Sequence, residues 1–96
     1  MYARVTTLGI KPEDLVAGDV LSAKIIPDVM AIPGIKHFFR GRDDAGNSIV
    51  VAIYESRDAA EAATETVKEL FGKFAPYMSS PPVPAGYDIY DHGSNS

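Results

Sequence analysis

The stretch from Pro33 to Ser56 constrains this chain most, because it reads as two strands joined by a turn and lies between two helical patterns. Residues 35–40 and 48–54 are rich in β-branched and aromatic side chains, which suit a pleated, half-buried surface. The seven residues between them hold two Gly, two Asp and one Asn. These types accept φ > 0 or close turns with their side chains. A hairpin in the middle of a 96-residue chain leaves room for one domain with one core.

Upstream, Tyr2, Arg4 and Thr6 alternate with Ala3, Val5 and Thr7, so residues 2–8 read as a strand. Pro12, followed by Glu13 and Asp14, is a helix-start signal: Pro has no N–H to lose there, and carboxylates suit the positive end of the helix dipole. Leu15, Val16, Val20, Leu21, Ile25, Val29 and Met30 form its apolar face. Pro27 predicts a helix over 12–26 and a kink or fresh turn to about 31. Downstream, Ser56 is the expected N-cap of a second helix, and Ala59, Ala63, Val67, Leu70, Phe71 and Phe74 follow its 3.6-residue period. Pro76 ends it near Tyr77. Residues 79–86 carry three prolines and read as an irregular segment on the surface, and residues 87–91 as a short last strand.

The order is β-α-β-β-α-β, the ferredoxin-like split arrangement: an α+β fold with a four-stranded antiparallel sheet and two helices on one face. The domain covers residues 1–92, and residues 93–96 are expected to form a flexible tail. Strict alternation puts Ile35, His37 and Phe39 on one face of the hairpin and Phe38 on the other. It likewise sets Ile49, Val51 and Ile53 against Val50, Ala52 and Tyr54. Both faces are therefore apolar, and one would be bare in a monomer. Packing of two sheets face to face would cover it, so a homodimer is expected.

Net charge excludes some functions. At −4, with no cluster of Lys or Arg, the chain does not suit nucleic acid. It has no Cys, hence no disulfide, thiolate metal site or thiol nucleophile. No apolar run reaches the length of a membrane span, and Met1-Tyr2-Ala3-Arg4-Val5 does not begin a signal peptide. The expectation is a cytoplasmic protein that binds no membrane. Neither Asp43 and Asp44 nor Asp88 and Asp91 has a ligand set around it, so no metal site is expected. The glycines never take a phosphate-loop spacing.

Four local patterns then coincide. Gly9-Ile10-Lys11-Pro12 ends the first strand, and Pro33-Gly34 opens the second. Tyr54-Glu55-Ser56 ends the third, and Arg57-Asp58-Ala59-Ala60-Glu61-Ala62 begins a helix. In this order they resemble the dimeric α+β-barrel superfamily, and most of all its antibiotic-biosynthesis-monooxygenase domains. The resemblance covers residues 2–91. It implies two ferredoxin-like subunits whose sheets form a barrel, and a pocket in each subunit between sheet and helices. It also implies a hydrophobic or aromatic small molecule as ligand, oxidised without metal, flavin or other cofactor if the protein is an enzyme. Haem-degrading members carry an Asn at the end of strand one and a Trp and a His on helix two. Here those positions hold Thr7, Ala63 and about Lys73, so haem degradation is not expected. The family's quinone-forming oxygenases use Asn, Trp and Tyr around the pocket. This chain has no Trp, and its Asn residues, Asn47 and Asn95, lie in the hairpin turn and the tail.

The candidate catalytic pair is His37 and Tyr54, an imidazole that can act as a base near neutral pH and a phenol that can polarise a substrate oxygen. The alternative for His37 is a strand histidine bonded to a backbone carbonyl or placed at a dimer surface. The alternative for Tyr54 is a core residue with its hydroxyl at the edge. Val51, Ile53, Ala63 and Phe74 are the expected apolar walls of a ligand site, with Thr7 at the strand-one position and Tyr77 at the mouth. Arg4 and Arg40 could hold an anionic ligand, or pair with Glu55, Asp88 or Asp91. The second reading of the whole chain is a non-catalytic ligand-binding or protein-interaction module of the same fold.

Overall fold

The computed structural model describes residues 1–95; of the tail expected at 93–96, Ser96 lies outside them. The chain forms β1 (Tyr2–Ile10), a 3-10 turn at Pro12–Asp14, α1 (Leu15–Met30), β2 (Ile35–Arg42) and β3 (Asn47–Tyr54). It continues with α2 (Arg57–Ala62), α3 (Thr64–Gly72), a second 3-10 turn at Ala75–Tyr77, and β4 (Met78–Asp88). The strands pair in the order β2-β3-β1-β4, every pair antiparallel. This is the ferredoxin-like sheet, with the helices on one face. No helix among the described residues is long and apolar enough to cross a membrane.

The hairpin is longer and its turn tighter than the sequence suggests. Asp43 is the reason. Its Oδ1 accepts from the backbone N–H of Ala45 at 3.0 Å and of Asn47 at 2.9 Å, and its Oδ2 accepts from the Asn47 side chain. Gly46 follows at φ +91°, and a Cβ there would collide with the Ile10 carbonyl oxygen. The Gly46 carbonyl in turn accepts from Ile10 N–H at 2.9 Å, which ties the turn to the end of β1.

Two apolar clusters fill the space between sheet and helices. One joins Tyr2, Ile32, Ala52, Tyr54, Ala60 and Ala63; the other joins Leu8, Ile10, Ile25, Val29 and Phe74. The face that α1 turns inward holds Gly18, Ser22, Ile25 and Val29, which fall at helical spacing. Val16 and Val20, expected on the apolar face, are exposed. Small residues at 18 and 22 leave room over the sheet that a larger pair would close.

Three expectations about elements are corrected. The first helix is not broken at Pro27 but runs to Met30. Pro27 is exposed, and its own carbonyl still accepts from Ala31 N–H at 3.1 Å, so the cost is one missing bond on the solvent side. The second helix is divided at Ala63, whose N–H is shared between the carbonyls of Ala59 and Ala60. The proline-rich segment is itself strand: β4 begins at Met78, and only Tyr87 and Asp88 of the expected last strand lie within it. An edge strand bonds a neighbour on one side only, so prolines can face the free side. Pro81 and Pro82 sit where the register shifts between Thr7 and Gly9.

Candidate functional site

Antiparallel register decides which side chains meet under the helices. Arg4 stands opposite Ala52, Thr6 opposite Val50, and Phe38 and Arg40 opposite Ala52 and Val50 from the other side. These residues and Tyr54 share the helix-facing side of the sheet. A cavity of about 70 Å³ lies between them and the helices. Leu8, Val50 and Ala52 form its floor, and Ile25, Leu70 and Phe74 its roof. At roughly 10–15 Å³ per water, it exceeds the packing voids of an ordinary core.

A groove of about 500 Å³ continues this cavity outward, between α3 and the prolines of β4. The two share Arg4, Thr6, Tyr54, Val67 and Phe71. Polar groups therefore cluster at the neck. Tyr54 and Thr6 are each 2% exposed. Burial raises the Tyr54 phenol above its ordinary pKa, against a smaller downward pull from the Arg4 guanidinium. At neutral pH the phenol is thus protonated and can donate a hydrogen bond. Arg4 lies over the Tyr2 ring, 5.4 Å from its centroid. Both side chains cross β4 at Gly86, where a Cβ would meet the Tyr2 hydroxyl and stand 2.9 Å from Arg4 Nη1.

The opposite end of the cavity is also polar. Asp19 of α1 is clamped by two arginines of β2: Arg42 donates through Nη2 at 2.7 Å and Nε at 2.9 Å, and Arg40 through Nη1 at 2.9 Å. These bonds, those of Arg42 first, hold the Asp19 carboxyl far below the usual carboxylate range. Ser22 and Ser48 line the cavity beside Arg40, with Ser48 Oγ bonded to the Gly46 carbonyl at 3.1 Å.

The expected site residues divide between the two faces. Tyr54 and Phe74 line the cavity. Ala63 is buried in the core where α2 meets α3, and Tyr77 is half-buried against the Phe74 cluster. Thr7, Val51 and Ile53 lie on the open face, so Val50 and Ala52, not Val51 and Ile53, wall the cavity. A one-residue slip in reading a strand exchanges the faces completely. His37 is exposed, stacked on Phe39 with ring centroids 6.3 Å apart, and does not share a site with Tyr54. The register shift between Ile35 and His37 separates these two residues: Ile35 packs inward, while His37 and Phe39 point out.

The arginine pairings expected across the sheet are replaced. Arg40 pairs with Asp19 rather than with Glu55, Asp88 or Asp91, and Glu55 lies 4.0 Å from Lys36. Asp19, Ser22 and Ser48 went unnoticed in the sequence. The signal for Asp19 was the spacing of Arg40 and Arg42, two cations on one strand face that need an acid opposite them. Among the described residues no three His, Asp or Glu side chains gather in a way that could hold a metal ion.

No protein-family model matches the chain, nor does any curated sequence. Solved structures do. A candidate antibiotic biosynthesis monooxygenase from Caulobacter crescentus is 22% identical with a TM-score of 0.78, over 94% of this chain and 90% of that one. One from Deinococcus radiodurans is 12% identical at a TM-score of 0.80, over 100% of this chain and 99% of that one. A protein of unknown function from Nitrosomonas europaea is 18% identical at 0.79, over 99% of this chain and 94% of that one. At these identities the likeness is one of fold. The chain has the ferredoxin-like α+β fold of the antibiotic-biosynthesis-monooxygenase domains.

Proposed function

We propose that this chain binds a small, mainly apolar molecule of aromatic type in the cavity between sheet and helices, and that it does so as a homodimer. One observation carries the reading: an apolar interior that narrows to the protonated Tyr54 phenol, Thr6 and Arg4, and then widens into a groove. Ligand sites have this composition, a hydrophobic lining with few polar groups that set orientation. A thermal-shift screen of phenols and quinols tests it. A ligand at about one hundred times its Kd should stabilise the fold by about 2.7 kcal/mol, and a set without any saturable shift would remove the reading.

The second reading is a cofactor-independent monooxygenase, in which a phenol and O₂ yield a quinone and water. Tyr54 beside Arg4 favours it, since a hydrogen-bond donor and a cation together stabilise a phenolate, the form that reacts with oxygen. His37 remains a candidate base only if substrate also reaches the open face. The missing Trp, and the absence of Asn near the neck, favour binding without turnover. Oxygen uptake with each bound phenol separates the two.

A further inference from the structure

Arg40 holds a buried group with no work in the fold. Its Nη1 is spent on Asp19, but its Nη2 is buried and has no hydrogen-bond partner among the described residues. The side chain is only 17% exposed and lines the cavity. Nη2 lies against α1 at Gly18, 3.9 Å from where a Cβ would stand, an ordinary van der Waals distance. Ser22, one turn further along the same buried helix face, lines the same end.

Charge points the same way. One carboxylate, Asp19, is shared by two guanidiniums. Two further acids, Asp43 and Asp44, act on Arg42 rather than on Arg40, and Asp44, 3.8 Å from Arg42, is fully exposed. Arg40, whose one acid is shared with Arg42, therefore presents a cation and an unused donor at the end of the cavity. A buried guanidinium N–H without an acceptor is rare in a native fold, and the usual remedy is an acceptor the protein does not itself supply.

We propose that the ligand is an aromatic acid whose carboxylate pairs with Arg40 Nη2 while its ring body lies on Val50 and Ala52 toward Tyr54. This rests on the cavity being a ligand site and adds the class of ligand. Span supports it. Arg40 stands opposite Val50, and Tyr54 is four residues further along β3, about 13 Å of strand. The cavity of about 70 Å³ takes the carboxylate end, and a two-ring body continues past Tyr54 into the groove of about 500 Å³.

The test is calorimetric titration of 2-naphthoate and its neutral isostere 2-naphthamide into the wild type, Arg40→Gln and Arg42→Lys. The wild type should bind the acid at least tenfold more tightly than the amide. Arg40→Gln should lose that preference and keep its affinity for the amide. Arg42→Lys weakens the Asp19 clamp but leaves Arg40 Nη2 in place, and should keep the preference, which separates lost recognition from general loosening. Equal binding of acid and amide to the wild type overturns the carboxylate assignment and leaves the cavity reading standing, with Nη2 met by internal water. Preference retained in Arg40→Gln also overturns it. No binding of either compound to the wild type overturns both.

Discussion

At the scale of single residues, Tyr54 and Asp19 have the sharpest consequences. Tyr54→Phe removes a hydroxyl at the cavity neck and little else, because the ring stays packed among Tyr2, Ala52 and Ala60. The expected result is an unchanged fold and a loss of about 0.5–1.5 kcal/mol in affinity for a phenolate or carbonyl ligand, read by titration. Asp19→Asn should lower Tm at neutral pH, since it leaves two half-buried guanidiniums without their acid. The dependence on pH follows from the depressed carboxyl. An aspartate depressed below its unfolded value of about 3.9 contributes fully above that value and loses its contribution as pH falls through the folded one. The Tm gap between wild type and Asp19→Asn should therefore stay level from about pH 8 to 5 and narrow below about pH 4. A gap that widens on acidification would show that the clamp does not stabilise the fold.

At the scale of elements, the local chemistry of ends and turns sets the boundaries. Ser56 caps α2 by accepting from Ala59 N–H at 3.1 Å. Ser56→Ala should cost about 1 kcal/mol in a denaturant melt. Gly46→Ala should cost more, because it combines a left-handed backbone with a collision against the Ile10 carbonyl, which no side-chain rotation relieves. If Gly46→Ala were the milder of the two, the turn would not be anchored to β1 as described. β4 shows how an edge position changes the meaning of a residue. Three prolines that forbid a central strand are accommodated on a strand bonded along one side, and two of them, Pro82 and Pro84, also wall the groove.

At the scale of the whole molecule, the open face of the sheet dominates. Phe39 and Val83 are each 61% exposed and Tyr87 59%, on the same side as Val5, Val51 and Ile53. A contiguous apolar face of this kind is the usual mark of an interface, and a second copy of the sheet would cover it. Phe39→Glu places a charge in the middle of that surface. It should turn a dimer into a monomer in light-scattering chromatography while leaving the cavity on the other face able to bind. A wild type that runs as a monomer at micromolar concentration would remove the dimer from the account. His37→Ala belongs at this scale too: it should act on association and leave cavity affinity unaltered.

The sequence by itself determined the order of elements, the hairpin, the Ser56 cap and the apolar character of both sheet faces. These are local: they rest on alternation, helical period and turn residues, which act over a few positions. The division of residues between cavity and open face was decided only in three dimensions. The register shift near Lys36 turned His37 away from Tyr54, and the register of β3 gave the cavity Val50 and Ala52 in place of Val51 and Ile53. The Asp19 clamp joins residues 21 and 23 positions apart, and the neck joins Arg4 to Tyr54 and Phe71. Such meetings depend on strand pairing and helix docking, whose geometry no short-range pattern encodes, so the fold was legible in the residues and most of the site was not.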